Sequence, residues 1–354
     1  MKDEGGKNRT GRLCVLSVYL AGAWLASGSA FASEPPDAVR LARGQHIYTL
    51  QCAGCHGDDG EATFRGENTK ILPGIHVRRT DFEIGHRFRG FMATLFTEEE
   101  RADLVAFVKS LKGKKGYERP ELLISGTGLA PFVTDPGVRI VDLRSAEAYA
   151  ASHLPNAVHL DAAALDPLPP AEAFARLMTA LGVGDNTYVV AYDDDGGRSA
   201  ALLWAALQEY GHERVSVLDG GWGAWVREDR YVTPWKPSKR AVTFTPRPRT
   251  FQYIADAPAG KNRALIIDAG RIPRRVPAAP HVPWVQNLQE DGTFRPAADL
   301  RAMYAHAGIT GGRAILTTGQ DIPDAAQMLF VLRLLGFPEV RAAGSGARRL
   351  SLRE

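Results

Sequence analysis

Cys52-Ala53-Gly54-Cys55-His56 concentrates more reactive chemistry than any other stretch of the chain. Two thiols two residues apart can add to the two vinyl groups of one porphyrin. A histidine that follows at once is placed to bind its iron. C-x-x-C-H is therefore read as a covalent attachment site for one haem c per chain, with Cys52 and Cys55 as thioethers and His56 on the metal. The same cysteine pair without the histidine would suit a redox dithiol or half of a zinc site. The chain has one further cysteine, Cys14, so no second pair completes a zinc site.

Two acidic loops are the other places where chemistry could sit. Asp193 to Arg198 reads D-D-D-G-G-R, and Gly319 to Asp324 reads G-Q-D-I-P-D. Each follows a short apolar run, Thr187 to Tyr192 and Ala314 to Thr318, of the kind that forms a buried strand. Neither loop has a thiol. Successive backbone amides after a strand can bind an anion, with Arg198, or Arg271 and Arg274, in support. Asp193 to Asp195, and Asp321 with Asp324, work against it.

The elements that must position these groups begin after an N-terminal targeting signal. Lys2, Lys7, Arg9 and Arg12 precede an apolar stretch from Leu13 to Leu25, and Ala30-Phe31-Ala32 offers a cleavage site. Residues 1–32 are expected to be a signal peptide and the protein periplasmic, with an uncleaved membrane anchor as the alternative. The 354 residues, 45% apolar, are enough for several cored domains. A net charge of +3 argues against a dedicated nucleic-acid binder.

Residues 35–114 are expected to form a small all-α domain. Asp37 to Tyr48 has helical apolar spacing, with Val39, Leu41, Ile47 and Tyr48 on one broad face. Thr97 and Glu100 make a capping box for a second helix, whose apolar face is Leu104, Val105, Phe107, Val108 and Leu111. A helix before the attachment site, loops, then a capped helix resembles a class I cytochrome c. The resemblance implies Met92, in Gly90 to Phe96, as the sixth iron ligand, although Ala93 stands where that family usually has proline. A methionine ligand raises the potential. His86 and His76 are rival ligands, an open iron is a third outcome, and Met92 as core filler is the plain alternative.

A basic, glycine-bearing linker is read at 115–120. Beyond it, strands alternate with helices, which argues for α/β units with largely parallel sheets. Val141-Asp142-Leu143-Arg144-Ser145, then Ser152-His153-Leu154-Pro155-Asn156-Ala157-Val158-His159, then Val217 to Trp225 resemble a rhodanese domain at 121–233. The stretch 234–250 reads as an interdomain connection. Residues 251–354 read as a second, degenerate copy. Leu265 to Asp268 repeats the strand-Asp signal of Ile140 to Asp142, and His281-Val282-Pro283 echoes His153-Leu154-Pro155. The resemblance places the family's sulfur-carrying cysteine at Asp193 in the first copy and at Gly319 in the second, and implies that both are inactive. Gly220 and Gly221 are expected to allow close packing before Trp222 and Trp225, and Asp142 to hold backbone amides or an arginine across the domain.

The fold expected is thus multidomain: an all-α cytochrome c domain followed by two α/β rhodanese-like domains. The function expected is electron transfer by haem c, with a non-catalytic rhodanese-like module binding a partner or a sulfur anion. The partner would be a redox protein: another cytochrome, a quinol-oxidising complex or an oxidase. The alternative is a haem-dependent enzyme or redox subunit of sulfur-compound oxidation. No sulfurtransferase activity is expected.

Overall fold

The structure, a computed structural model, describes residues 36–53, 95–111, 115–249, 253–255, 264–274, 276 and 279–344. Cys14, Cys55, His56, His76, His86 and Met92 lie outside the described residues.

Two helices open the chain. Helix α1 (Pro36–Gln51) starts on a proline, which is pre-set for a first helical turn. Helix α2 (Glu98–Ser110) starts on the expected capping box: the Thr97 side chain accepts from Glu100 N–H, and the Glu100 carboxylate accepts from Thr97 N–H at 2.8 Å. The face α1 buries differs from the one its apolar spacing suggested. Val39 is 41% exposed, and the buried line is Gly44, Tyr48 and then Cys52. Gly44 decides it. A Cβ there would lie 2.0 Å from the Asp103 carbonyl oxygen, so only glycine lets α2 come this close. Arg40 and Arg43 both reach the buried Asp103 carboxylate across the crossing, at 3.2 and 2.8 Å. Tyr48, Cys52, Leu104, Val108 and Leu111 pack together beneath it.

The first α/β unit contains β1 (Leu123–Ile124), α3 (Gly126–Leu129), β2 (Val138–Asp142), α4 (Ala146–Ala151) and β3 (Ala157–His159). It continues through α5 (Ala171–Ala180), β4 (Tyr188–Tyr192), α6 (Arg198–Glu209), β5 (Val215–Leu218) and α7 (Gly221–Arg227). All five strands are parallel, in the order β1-β5-β4-β2-β3. Central strands β2 and β4 are apolar on both faces because helices cover both, as a parallel sheet requires. Ile140, Val190 and Tyr192 face Leu129, Tyr149 and Trp225, while Val141, Val189 and Ala191 face α5 and α6.

The second unit repeats this plan with β6 (Ile254–Ala255), β7 (Leu265–Asp268), α8 (Ala297–His306), β8 (Ile315–Thr318), α9 (Ile322–Leu334) and β9 (Val340–Ala343). Its sheet is also parallel, in the order β6-β9-β8-β7. The internal repeat is real, but its register differs from the one read in the sequence. His281 bridges Asp268 beside β7, and its Nε2 meets Gly270 O at 2.8 Å. In the first unit the residue so placed is His159, opposite Asp142 with Nε2 on Arg144 O at 2.9 Å. His281 therefore matches His159, not His153. Proline-rich spacing misaligned two short His-containing motifs that strand pairing tells apart.

The two units share one core. Helices α6 and α9 lie against each other, with the Trp204 and Phe330 rings edge to face at 5.3 Å. Burial of Phe330 alone stabilises by roughly 2 kcal/mol. The segment read as a basic linker is drawn into this interface. Lys115 Nζ donates to Asp219 Oδ2 and to Phe294 O, both at 2.6 Å, and Tyr117 Oη donates to Arg295 O at 2.6 Å. Among the described residues, no helix is long and apolar enough to cross a membrane.

Candidate functional site

The two acidic loops leave the carboxyl ends of β4 and β8, where open parallel sheets usually bind ligands. Packing of α6 on α9 brings them face to face.

In the first loop, Asp193 turns inward and is 2% exposed. Its Oδ1 accepts from the amides of Asp195 at 3.1 Å and Gly197 at 2.8 Å, and its Oδ2 from Ala200 at 2.9 Å. Helix α6 has no side-chain cap from Gly197, its N-cap residue, so Asp193 satisfies amides that the helix start leaves free. Burial pushes the Asp193 carboxyl above the usual carboxylate range, against the pull of these three amides. The peptide at Asp193 is fixed as well. Its carbonyl accepts from Trp222 N–H at 2.9 Å, and a Cβ on Gly221 would lie 2.2 Å from that oxygen. Gly221 thus permits the close packing expected of it.

In the second loop Gly319 has no side chain, and the space is filled from the next helix. A Cβ on Gly319 would lie 2.2 Å from Asp324 Cβ. Asp324 Oδ2 accepts from Gln320 N–H at 3.0 Å, while Asp321 caps α9 by accepting from Asp324 N–H at 2.9 Å. Each loop is therefore closed by a carboxylate of its own unit. Burial raises Asp324 as well, helped by neighbouring Asp321, and Arg198 offsets only part of that.

Arg198 joins the loops. Its Nε donates to Asp324 Oδ1 at 2.9 Å, its Nη2 to Asp321 Oδ2 at 2.5 Å, and its Nη1 to Asp195 Oδ2. Three carboxylates raise its already high pKa. Two guanidinium groups lie against the Trp284 ring, Arg198 at 5.1 Å and Arg271 at 4.8 Å from its centre. Arg274 Nη1 donates to Thr318 Oγ1 at 3.1 Å and to Gly319 O. Of the three arginines read as helpers for an anion, Arg198 and Arg274 are thus engaged within the protein. Arg271 is exposed beside the second loop, its backbone N–H on Gln320 Oε1 at 3.3 Å.

Asp142 is a structural anchor. It holds Arg144, two residues on, rather than an arginine across the domain: Arg144 N–H donates to Oδ1 at 2.9 Å and Nη2 to Oδ2 at 2.7 Å. Tyr192 Oη also donates to it, and Arg144 lies over the Trp222 ring at 3.8 Å. The Arg198 cluster and the role of Asp324 were not visible in the sequence, since their partners are far apart along the chain. The one usable signal was the equal spacing of Asp193 to Arg198 and Gly319 to Asp324, which gives an arginine in one loop and an aspartate in the other.

Comparison with known proteins agrees with the fold. Residues 129–228 match the family model described as a rhodanese-like domain. A sulfur carrier protein, TtuD of Thermus thermophilus, is 28% identical over 262 residues, covering 64% of this chain and 92% of the relative. The 3-mercaptopyruvate sulfurtransferase of Escherichia coli is 28% identical over 250 residues, covering 60% and 89%. The crystal structure of SseA from Escherichia coli, described as a 3-mercaptopyruvate sulfotransferase, superposes with a TM-score of 0.55 at 26% identity, over 63% of this chain and 97% of that one. EanB, at 18% identity and a TM-score of 0.54, shares the fold. These relatives overturn haem electron transfer as the expected function, and with it the haem-dependent alternative: they point to sulfur transfer. The chain carries a rhodanese-like domain at residues 129–228 within an α/β region related to sulfur carriers and sulfurtransferases.

Proposed function

We propose that this chain serves sulfur transfer as a member that binds the sulfur compound without carrying the sulfur atom on its rhodanese-like units. One observation supports the reading above the others: no cysteine follows Cys55, and the amides at the Asp193 position are taken by its own carboxylate. A persulfide carrier needs a thiolate steadied by such amides. Here Asp193 and Gly319 stand at the two thiol positions. The chemistry that remains is recognition, and exposed Arg271 beside the Gly319 loop is the group to meet a sulfur anion.

The test pairs turnover with binding. With thiosulfate or 3-mercaptopyruvate as donor and cyanide as acceptor, no thiocyanate should form above a protein-free control. 3-Mercaptopyruvate, a carboxylate rather than a tetrahedral oxyanion, should raise the melting temperature of the intact chain, and Arg271→Gln should abolish that rise. Turnover, or 3-mercaptopyruvate that leaves the melting temperature unchanged, would refute the reading.

The C-x-x-C-H segment supports a separate proposal, a cytochrome c domain at 35–114 with one covalent haem c on Cys52 and Cys55 and His56 on the iron. Cys52 is 5% exposed among Tyr48, Leu104, Val108 and Leu111, an apolar setting that suits a thioether to a porphyrin edge. When bound, such a group supplies a redox-active iron. A pyridine haemochrome spectrum of the exported protein tests attachment; recovery of two free thiols per mature chain would rule it out. Periplasmic export is part of the same proposal, because a covalent haem and a targeting signal imply the same compartment.

A further inference from the structure

The amino-terminal end of β2, opposite the Asp193 loop end of the first sheet, holds an arginine that the fold does not neutralise. Arg139, second residue of β2, is 1% exposed. Its guanidinium lies where a side chain on Gly182 would be: a Cβ there would come within 2.5 Å of Nη2. Among the described residues no carboxylate pairs with it. Its Nε has no hydrogen-bond partner, and Nη1 meets only the Asn156 carbonyl, at a long 3.5 Å. A buried cation without a counter-charge is costly, and a buried unpaired donor in a native fold calls for a bound water or ion.

A second arginine stands beside the first. Arg240, from the connection between the units, donates through Nη1 to Val138 O at 2.7 Å and Pro136 O at 2.8 Å, next to Arg139 in the chain. Burial and the Arg240 charge together push Arg139 down to about 10. Asp135 favours the charge on Arg240 without forming an ion pair with it, and its Oδ1 accepts from Gly137 N–H at 2.7 Å. Arg240 thus binds the backbone one residue from Arg139, its charge acts on that of Arg139, and both have backbone carbonyls as hydrogen-bond acceptors. The negative end of α5 near Gly182 gives partial relief only.

We propose that Arg139 and Arg240 form a binding site for a small tetrahedral oxyanion, inorganic phosphate or sulfate, at the amino-terminal end of β2, the end of the strands remote from the Asp193 and Gly319 loops. The guanidinium fork matches two oxygens of such an ion, and one anion would neutralise both cations. The burial of Arg139 favours the compact free ion over an ester with a bulky substituent.

The experiment is calorimetric titration and thermal unfolding of the intact chain with sodium phosphate, sodium sulfate and glycerol 3-phosphate, against sodium chloride at equal ionic strength. Phosphate and sulfate should each give a saturable rise in melting temperature, and the ester a smaller one or none. Arg240→Gln should weaken phosphate binding about tenfold or more. Arg139→Met should abolish the response while keeping the fold, since methionine fills the slot without a charge. Arg271→Gln should leave the phosphate response intact. A phosphate response no larger than that of chloride would overturn the proposal. So would one that survives Arg139→Met, or one lost in Arg271→Gln, which would move the anion to the loops. An ester response equal to that of phosphate would overturn the assignment to a free ion.

Discussion

Arg198, the first residue of α6, donates through Nε to Asp324 of α9 at 2.9 Å, so the loop of one unit is neutralised by the residue that fills the loop of the other. Each partner sits five residues past the position where the rhodanese resemblance puts a sulfur-carrying thiol. The pair turns two facing loops into one closed contact.

Removing the arginine should therefore cost more than a surface ion pair would. Arg198→Met leaves Asp324, 1% exposed, with a charge and no counter-charge. Loss of one partner of such a pair costs about 3 kcal/mol. Urea unfolding should show a lower midpoint, and Arg198→Met combined with Asp324→Leu should recover part of the loss. A change within experimental error for Arg198→Met would show that the pair is solvent-screened.

Stability should fall as pH rises through the raised carboxyl pKa values of Asp193, Asp219 and Asp324. Burial raises all three. Protons on these groups are bound more tightly in the folded state than in the unfolded one. Their stabilising contribution is present below the ordinary carboxylate range and is lost as each folded-state group ionises. Exposed Glu147 and Asp291 are shifted the opposite way and contribute little. Melting temperature against pH checks this, and Asp193→Asn should flatten the slope while lowering stability throughout, because its amide NH₂ would face the Ala200 N–H.

Gly319 should not tolerate even a methyl group. Gly319→Ala puts a Cβ 2.2 Å from Asp324 Cβ and should cost about 2 kcal/mol through overpacking. Gly311→Ala is the control, since a Cβ there meets nothing within 4 Å. Equal melting temperatures for the two variants would contradict the filled-loop geometry.

The N-terminal helix crossing should depend on Gly44. Gly44→Val cannot keep α1 against the Asp103 carbonyl, and the Arg40 and Arg43 ion pairs with Asp103 should go with it. Hydrogen exchange should quicken in α1 and α2 while β2 and β4 keep their protection. Unchanged exchange in α1 would show that the helices part at no cost.

Local rules made several elements legible from sequence alone. Thr97 and Glu100 cap α2 as their spacing dictates, because a capping box is closed within four residues. Apolar runs ending at Asp142 and Asp268 mark β2 and β7, because a buried parallel strand needs apolar residues on both faces. The repeat of that strand, with the motifs around it, was enough to indicate a rhodanese-like α/β region. The absence of any thiol beyond Cys55 could likewise be read directly. What the tertiary structure decided lies between residues distant in the chain. His281 pairs in the register of His159 because strand neighbours, not motif letters, fix it. Lys115 leaves its linker for Asp219 and Phe294. Asp324 occupies the space at Gly319, and Arg198 finds it, because the apolar faces of α6 and α9 bury Trp204 against Phe330. That packing sets the distance between the loops, and no local spacing encodes it.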